Sequence, residues 1–310
     1  MGAGAVAIAG DELRIAVGAG TDVGGRTENE DAVLVETLPP IGDPLVGAES
    51  GHLLAVADGM GGYQRGEVAS RIAIETIRRT FAEDPGADHA PLLKQAYRQA
   101  NRAIYENGRG SGGNDGMMGT TLVVATTRGK YLTIANIGDS RAYLVRANRL
   151  QQVTRDHSLV AEQVSQGSLS AAEARESPHR NIITQALGHR ERLDAKMPDI
   201  FEITLLAEDR LLLCSDGFYD VVPDDDLIGV LLDHEPDAAA RRLIEMAVER
   251  GTTDNVSAVV LSVQPVRVRE RELVGAGATP GGRGSFLFPA LALLAAIVFI
   301  ALVLLALTTL

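Results

Sequence analysis

Acidic residues at the ends of apolar runs are the chemistry-bearing feature of this chain. LLAVADGMGG, residues 53–62, opens with five apolar residues that read as a fully buried strand and then breaks at Asp58-Gly59 into a glycine-rich turn. A carboxylate at the mouth of such a strand stands on a rigid platform, and the glycine behind it lets the backbone come close to whatever the carboxylate holds. One Asp-Gly is an ordinary turn signal. Here the pattern recurs. Asp139 ends the apolar run of YLTIANIGDSRAY, and Asp216 ends that of RLLLCSDGF. Asp254 in GTTDNVSAVVL and Asp31 in RTENEDAVLV stand just ahead of apolar runs. Five carboxylates at the ends of five strand-like segments imply one acidic cluster. Carboxylates gathered that closely repel one another unless cations lie between them. No histidine falls within these motifs, and oxygen-only ligands select hard divalent ions.

The elements that must carry these residues alternate between strands and helices. Residues 18–22 and 32–36 read as strands flanking the first acidic motif. Residues 67–81 repeat Val68, Ile72, Ile77 and Phe81 at helical spacing, and 91–106 do likewise with Leu92, Leu93, Ala96, Ala100 and Ile104. A loop over 107–116 follows. Strands at 122–127 and 131–137 are joined by the hairpin signal Arg128-Gly129, and 142–145 is a further short strand. Residues 158–187, within a flap-like stretch at about 155–190, carry short helical pieces and few apolar side chains, and read as an excursion outside the core. Residues 211–214 form another core strand. Amphipathic helices are expected at 224–234 and 237–250, the second stopped by Gly251, and strand 256–263 closes the domain. There is no internal repeat.

Composition excludes other classes. The 310 residues carry a net charge of −12, no tryptophan and few aromatics, which argues against a nucleic-acid partner. Cys214 is the only cysteine, so there is no internal disulfide and no thiolate-based zinc site. Asp220, not arginine, stands six residues beyond it, so a thiolate nucleophile with a phosphate-cradling arginine is not encoded either. Residues 1–12 are small and apolar without a basic region ahead of Asp11 and Glu12, and read as a frayed terminus, not a signal peptide. Residues 285–310 carry no charge, and 286–308 is long enough to span a bilayer as a helix. Arg267, Arg269, Arg271 and Arg283 precede it, which by the positive-inside rule keeps the large N-terminal part in the cytoplasm. Residues 265–285 between domain and span are glycine-rich and read as a flexible linker.

At this point the residues carry a resemblance. Arg26-x-x-Asn29-Glu30-Asp31, Asp58-Gly59-Met60-Gly61-Gly62, Gly119-Thr120-Thr121, Gly138-Asp139-Ser140-Arg141, Asp156-His157-Ser158, Ser215-Asp216-Gly217 and Asp254-Asn255 follow one another in this order. The order resembles that of the metal-dependent Ser/Thr protein phosphatases of type 2C, in their bacterial form, over residues 13–264. The resemblance implies an α+β fold, a four-layer αββα sandwich of two antiparallel sheets flanked by helices, here followed by the transmembrane helix. It implies two Mn²⁺ or Mg²⁺ ions, with Asp58 bridging both, the Gly59 carbonyl on one, and Asp216 and Asp254 on the other. Glu30 and Asp31 would orient bound waters, and Asp139 with Asp216 resembles the pair that holds a third, weaker metal. Arg26 would clamp the substrate phosphate with its planar fork. A bridging water activated by the two cations would attack phosphorus in line with the seryl or threonyl oxygen, with no covalent enzyme intermediate.

Two departures are visible. The approach to Arg26 is one residue shorter than usual, and Tyr63 stands where bacterial members commonly carry histidine. Neither touches a metal carboxylate. Thr120 and Thr121 read as hydrogen-bonding beneath the site, Arg141 as paired with an acidic neighbour, and His157 as structural.

The leading expectation is a membrane-tethered phosphatase for phosphoserine and phosphothreonine proteins, opposing a Ser/Thr kinase at the cytoplasmic membrane. The alternatives are a catalytically silent phosphoprotein-binding scaffold, and a dedicated phosphatase for one regulator such as an anti-sigma antagonist. The intact Arg26, Asp58, Asp216 and Asp254 speak against the silent reading.

Overall fold

In a computed structural model, residues 13–42, 49–61, 65–110 and 118–265 are described. The expected span at 286–308, residues 266–285, residues 1–12 and Tyr63 lie outside them. Among the described residues no helix is long and apolar enough to cross a membrane.

Strand β3 (Glu49–Met60) sets the layering. Leu53, Ala55 and Ala57 face one side of it and Leu54 and Val56 the other, and all are fully buried. Both faces are covered, which is why the run is continuously apolar instead of alternating. β3 pairs antiparallel with β2 (Asp31–Ile41) and with β5 (Leu122–Arg128). β6 (Tyr131–Ile137) and β9 (Asp199–Thr204) extend this sheet, and the two-residue β4 (Gly119–Thr120) pairs with the end of β3. The second sheet runs in the order β1 (Leu13–Asp22), β11 (Val256–Pro265), β10 (Arg210–Cys214), β7 (Arg141–Arg146), β8 (Arg149–Gln152). All pairings are antiparallel.

Three cores result. Leu54, Val56, Val123 and Ile134 meet Leu211, Leu213, Val259 and Leu261 between the sheets. Outside the first sheet lie α1 (Arg65–Glu83) and α2 (His89–Gly110), packed on Leu53, Ala55, Leu122 and Val124. Outside the second, α5 (Asp216–Tyr219), α6 (Asp224–Asp233) and α7 (Pro236–Glu249) cover Tyr143, Leu212 and Val260. The layers are helix, sheet, sheet, helix. The excursion between β8 and β9 carries α3 (Leu159–Ser165) and α4 (Ala171–Glu176), capped by Ser158 and Ser170.

Three details differ from the sequence reading. The strand does not break at Asp58-Gly59. Gly59 and Met60 stay in β3 because Thr120 and Gly119 of β4 pair with them. α2 continues through residues 107–110, read as loop from their Asn and Gly content. In α1, Ile77 and Phe81 face the core as expected, but Val68 and Ile72 are only partly buried. Ala69 and Ala73 take the centre of that face, since small side chains let a helix approach closely.

Candidate metal centre

Antiparallel register first brings the acids together. Asp31, the first residue of β2, lies directly opposite Asp58 near the end of β3. Like charges directly opposed across a sheet are destabilising. Asp216 opens α5 just after β10, and Asp254 lies two residues before β11. Asp139 sits in the link between β6 and β7. Gly138 ahead of it has φ +101°, and a Cβ there would stand 2.6 Å from the Thr121 side chain, so only glycine fits.

The supports are hydrogen-bonded in detail. Thr121 NH and Thr120 Oγ1 both donate to the Asp58 carbonyl, at 2.9 and 2.8 Å. Asp58 NH donates to Thr121 Oγ1, which contacts Ser140 Oγ at 2.7 Å. Ser215 Oγ donates to Asp31 Oδ2 at 2.8 Å and accepts from Ser257 NH at 3.0 Å. Glu30 takes a hydrogen bond from the Gly66 backbone, and its own carbonyl accepts from Gly59 NH at 3.2 Å. A Cβ on Gly59 would stand 2.2 Å from the Gly66 carbonyl oxygen. Arg141 grips Asp156 with Nη2–Oδ2 at 2.7 Å and stacks 3.5 Å over the Tyr219 ring, whose hydroxyl donates to the Asp139 carbonyl. His157 Nδ1 accepts from Gly138 NH at 3.0 Å. Arg26 lies on the exposed rim, its Nη2 2.6 Å from Asp254 Oδ2.

Electrostatics mark the acids as one group. Burial pushes the Asp58 carboxyl well above the usual range, and the charges of Asp31, Asp216, Asp139 and Asp254 push it further. Asp31 rises to about 7, first by burial and then by Asp216 and Asp254, against hydrogen bonds from Ser257 and Ser215. Asp216 rises to about 6 through burial, Asp254 and Asp220. Asp139 is raised by burial, Asp216 and Asp156, and Glu30 is raised chiefly by burial.

The donor set fits hard divalent cations. Asp31 Oδ1, Asp139 Oδ1 and Asp216 Oδ1 are buried with no hydrogen-bond partner. Lone pairs left this way are costly unless a proton or cation meets them. Among the described residues no group of three or more acidic, histidine or cysteine side chains is placed to hold a metal ion by itself. Mg²⁺ at phosphate-handling sites keeps several waters and takes only one or two carboxylates, and oxygen donors suit Mn²⁺ equally.

The acids, the glycine and the arginine assigned to the site in the sequence are therefore at this end of the sandwich: Arg26, Glu30, Asp31, Asp58, Gly59, Asp139, Asp216 and Asp254. Sequence reasoning missed the roles of Gly66, Ser215, Tyr219 and Asn255. Ser215 and Asn255 adjoin acids already marked, which was a usable signal. Nothing local marks Gly66, whose place depends on contacts with Glu30 and Gly59.

Comparisons with known proteins agree with this geometry. The family model described as protein phosphatase 2C matches residues 41–258. The serine/threonine protein phosphatase PstP of Mycobacterium tuberculosis is 36% identical over 265 residues, covering 85% of this chain and 48% of that protein. The chain thus spans about half the length of that relative. Protein phosphatase PhpP of Streptococcus pneumoniae is 30% identical over 249 residues, 78% of this chain and 95% of that protein. The crystal structure of the PstP catalytic domain in complex with two manganese ions matches with a TM-score of 0.67 and 36% identity, over 81% of this chain and 99% of that one. The same sandwich, with acids converging at one end of it and a family match running from β2 into β11, makes this chain a member of the protein phosphatase 2C family.

Proposed function

We propose that this chain hydrolyses phosphoserine and phosphothreonine in proteins, using two Mn²⁺ or Mg²⁺ ions at the acidic end of the sandwich. The observation that carries the reading is the opposed pair Asp31 and Asp58, joined by Asp216, Asp254 and Asp139, with buried carboxylate oxygens that lack partners. Asp58, the Gly59 carbonyl, Asp216 and Asp254 would hold the ions, and Asp139 with Asp216 a third. Glu30 and Asp31 would orient waters around them. When bound, such cations neutralise phosphoryl oxygens and make a water nucleophilic near neutral pH. The chain's own part is placement. Arg26 holds the phosphate from the rim, Asp254 holds the Arg26 guanidinium, and the threonines under Asp58 fix the backbone that carries its carboxylate. Relatives named as Ser/Thr phosphatases support protein substrates.

The test is release of p-nitrophenol from p-nitrophenyl phosphate by the full chain, with Mn²⁺ and with EDTA. Mn²⁺-dependent release is expected. Its absence, with phosphoprotein binding retained, would favour the silent scaffold. We also propose that residues 286–308 tether the protein to the cytoplasmic membrane, with the catalytic part in the cytoplasm opposing a Ser/Thr kinase. Deleting 286–310 should move the protein to the soluble fraction without changing turnover of a small substrate. Full-length protein that is soluble without detergent would count against the tether.

A further inference from the structure

We infer that Asn255 is the positioning residue for the phosphate clamp. The inference rests on the phosphatase reading above. Arg26 sits in the connection from β1 to β2, residues 23–30, which has no helix or strand of its own. Its side chain is 52% exposed and held by Asp254, so its placement depends on that one partner and on the connection that carries it. The segment is held from below by one buried amide. Asn255 Nδ2 donates to the Val23 carbonyl at 2.9 Å and to the Glu28 carbonyl at 2.8 Å. Its Oδ1 accepts from Glu30 NH at 2.8 Å. Both amide protons and the carbonyl oxygen of the side chain are therefore spent on one loop, at three points that bracket Arg26. Asn255 is only 5% exposed, so these bonds form away from competing water.

The same turn supplies further contacts. The Asp254 carbonyl accepts from Gly25 NH at 3.4 Å, and Asp254 Oδ2 takes the Arg26 guanidinium. Thr252 Oγ1 donates to the Gly217 carbonyl at 2.7 Å, which joins the turn to the segment bearing Asp216. One short stretch, 252–255, thus sets the distance between phosphate clamp and acidic cluster. A guanidinium fork matches phosphate oxygens only within narrow limits of angle and distance. No other side chain supplies the Asn255 pattern. Aspartate keeps the acceptor for Glu30 but turns an acceptor on the Val23 and Glu28 carbonyls, and alanine keeps neither.

The experiment is a double-mutant cycle on the full chain with saturating Mn²⁺, reading kcat and KM for a phosphopeptide, together with Mn²⁺ affinity by calorimetry. Asn255→Ala should repeat the Arg26→Ala pattern, with KM raised about tenfold or more and kcat lowered. Arg26→Ala/Asn255→Ala should be no worse than Arg26→Ala alone, because both remove the same clamp. Asn255→Asp should be no better than Asn255→Ala. Mn²⁺ affinity should stay within about threefold of the parent, since a positioning residue for Arg26 leaves the acidic ligands in place. Multiplying losses in the double variant, or lost Mn²⁺ binding with KM unchanged, would overturn the inference. Should Asn255→Ala not fold, Gly25→Ala pushes the loop off the turn from the other side, because its Cβ would meet the Thr252 carbonyl oxygen at 2.7 Å. It should give the same rise in KM, and normal KM there would overturn the inference equally. An inactive parent chain sinks the phosphatase reading and this inference with it. An active parent with a damaged Arg26→Ala and a normal Asn255→Ala sinks the inference alone.

Discussion

Asp58 is held where its charge is unwelcome. Burial and four neighbouring carboxylates raise its pKa, and Asp31 stands directly across the sheet from it. The repulsion grows as pH rises through the raised pKa values of the cluster, that of Asp31 at about 7 among them. Asp58→Asn removes one charge and little shape. In EDTA at pH 8 it should raise Tm by about 2–4 °C, as roughly 1 kcal/mol does in a domain of this size. The raised pKa means the folded protein binds more protons than the unfolded chain, so the gain should shrink as pH falls toward 5. The same variant should lose Mn²⁺-dependent turnover, a trade of stability against function. An unchanged or lower Tm in EDTA would show that the acids do not repel. Asp216→Ala should lower turnover by about three orders of magnitude with the fold kept, since the residue opens a helix at the rim instead of filling a core. Near-normal activity in limiting Mn²⁺ would remove Asp216 from the site. At this scale the sequence was readable wherever an acid followed or preceded an apolar run. It was silent on Gly66, because no local pattern encodes an approach between segments 36 residues apart, Glu30 to Gly66.

Elements were legible in proportion to how fully they are buried. β5, β6 and β10 have covered faces and came through as apolar runs. β9 is an edge strand whose residues are at most half-buried, and β8 is mostly exposed, so neither stood out from loop. β4 is two residues long and is defined by its partners, Gly59 and Met60 on one side and Leu187 on the other. One junction between elements has a pH signature of its own. His89 at the start of α2 is 6% exposed, contacts Thr126 Oγ1 at 3.1 Å through Nδ1, and meets the Arg128 guanidinium at 3.1 Å through Nε2. Burial and the Arg128 charge push its pKa down to about 4, against a smaller opposing effect of Asp88. Between about 4 and 6.5 the unfolded chain binds the proton that the folded one refuses. The contribution is therefore full above about pH 6.5 and is lost as pH falls through about 4. His89→Gln should flatten the decline of Tm between pH 6.5 and 4.5 relative to the parent protein. Parallel declines in the two proteins would sink this account.

For the whole molecule, the order of strands matters more than any one of them. β1 and β11 pair along their full lengths, from Leu13↔Pro265 to Asp22↔Val256. β11 is also the partner of β10, so the second sheet is in two pieces until it enters. Asp254 and Asn255 arrive with it. A chain ending at residue 250 should therefore lack both a cooperative thermal transition and any calorimetric Mn²⁺ binding. A sharp melt in that fragment would show the first sheet and its helices to be an independent unit. The layered class was legible from the family resemblance, and the alternation of strands and helices alone did not specify it. The pairing of first strand with last was not, because nothing in either segment names its partner. That pairing has a consequence for how the protein is made. A ribosome adding roughly 5–20 residues per second needs on the order of tens of seconds to pass from β1 to β11. Throughout that interval the edge of β1 that later takes β11 has no partner, and an unpaired strand edge is a template for other extended chains. The same delay keeps every unfinished copy inert, so the proposed activity is switched on only when synthesis of the domain is complete.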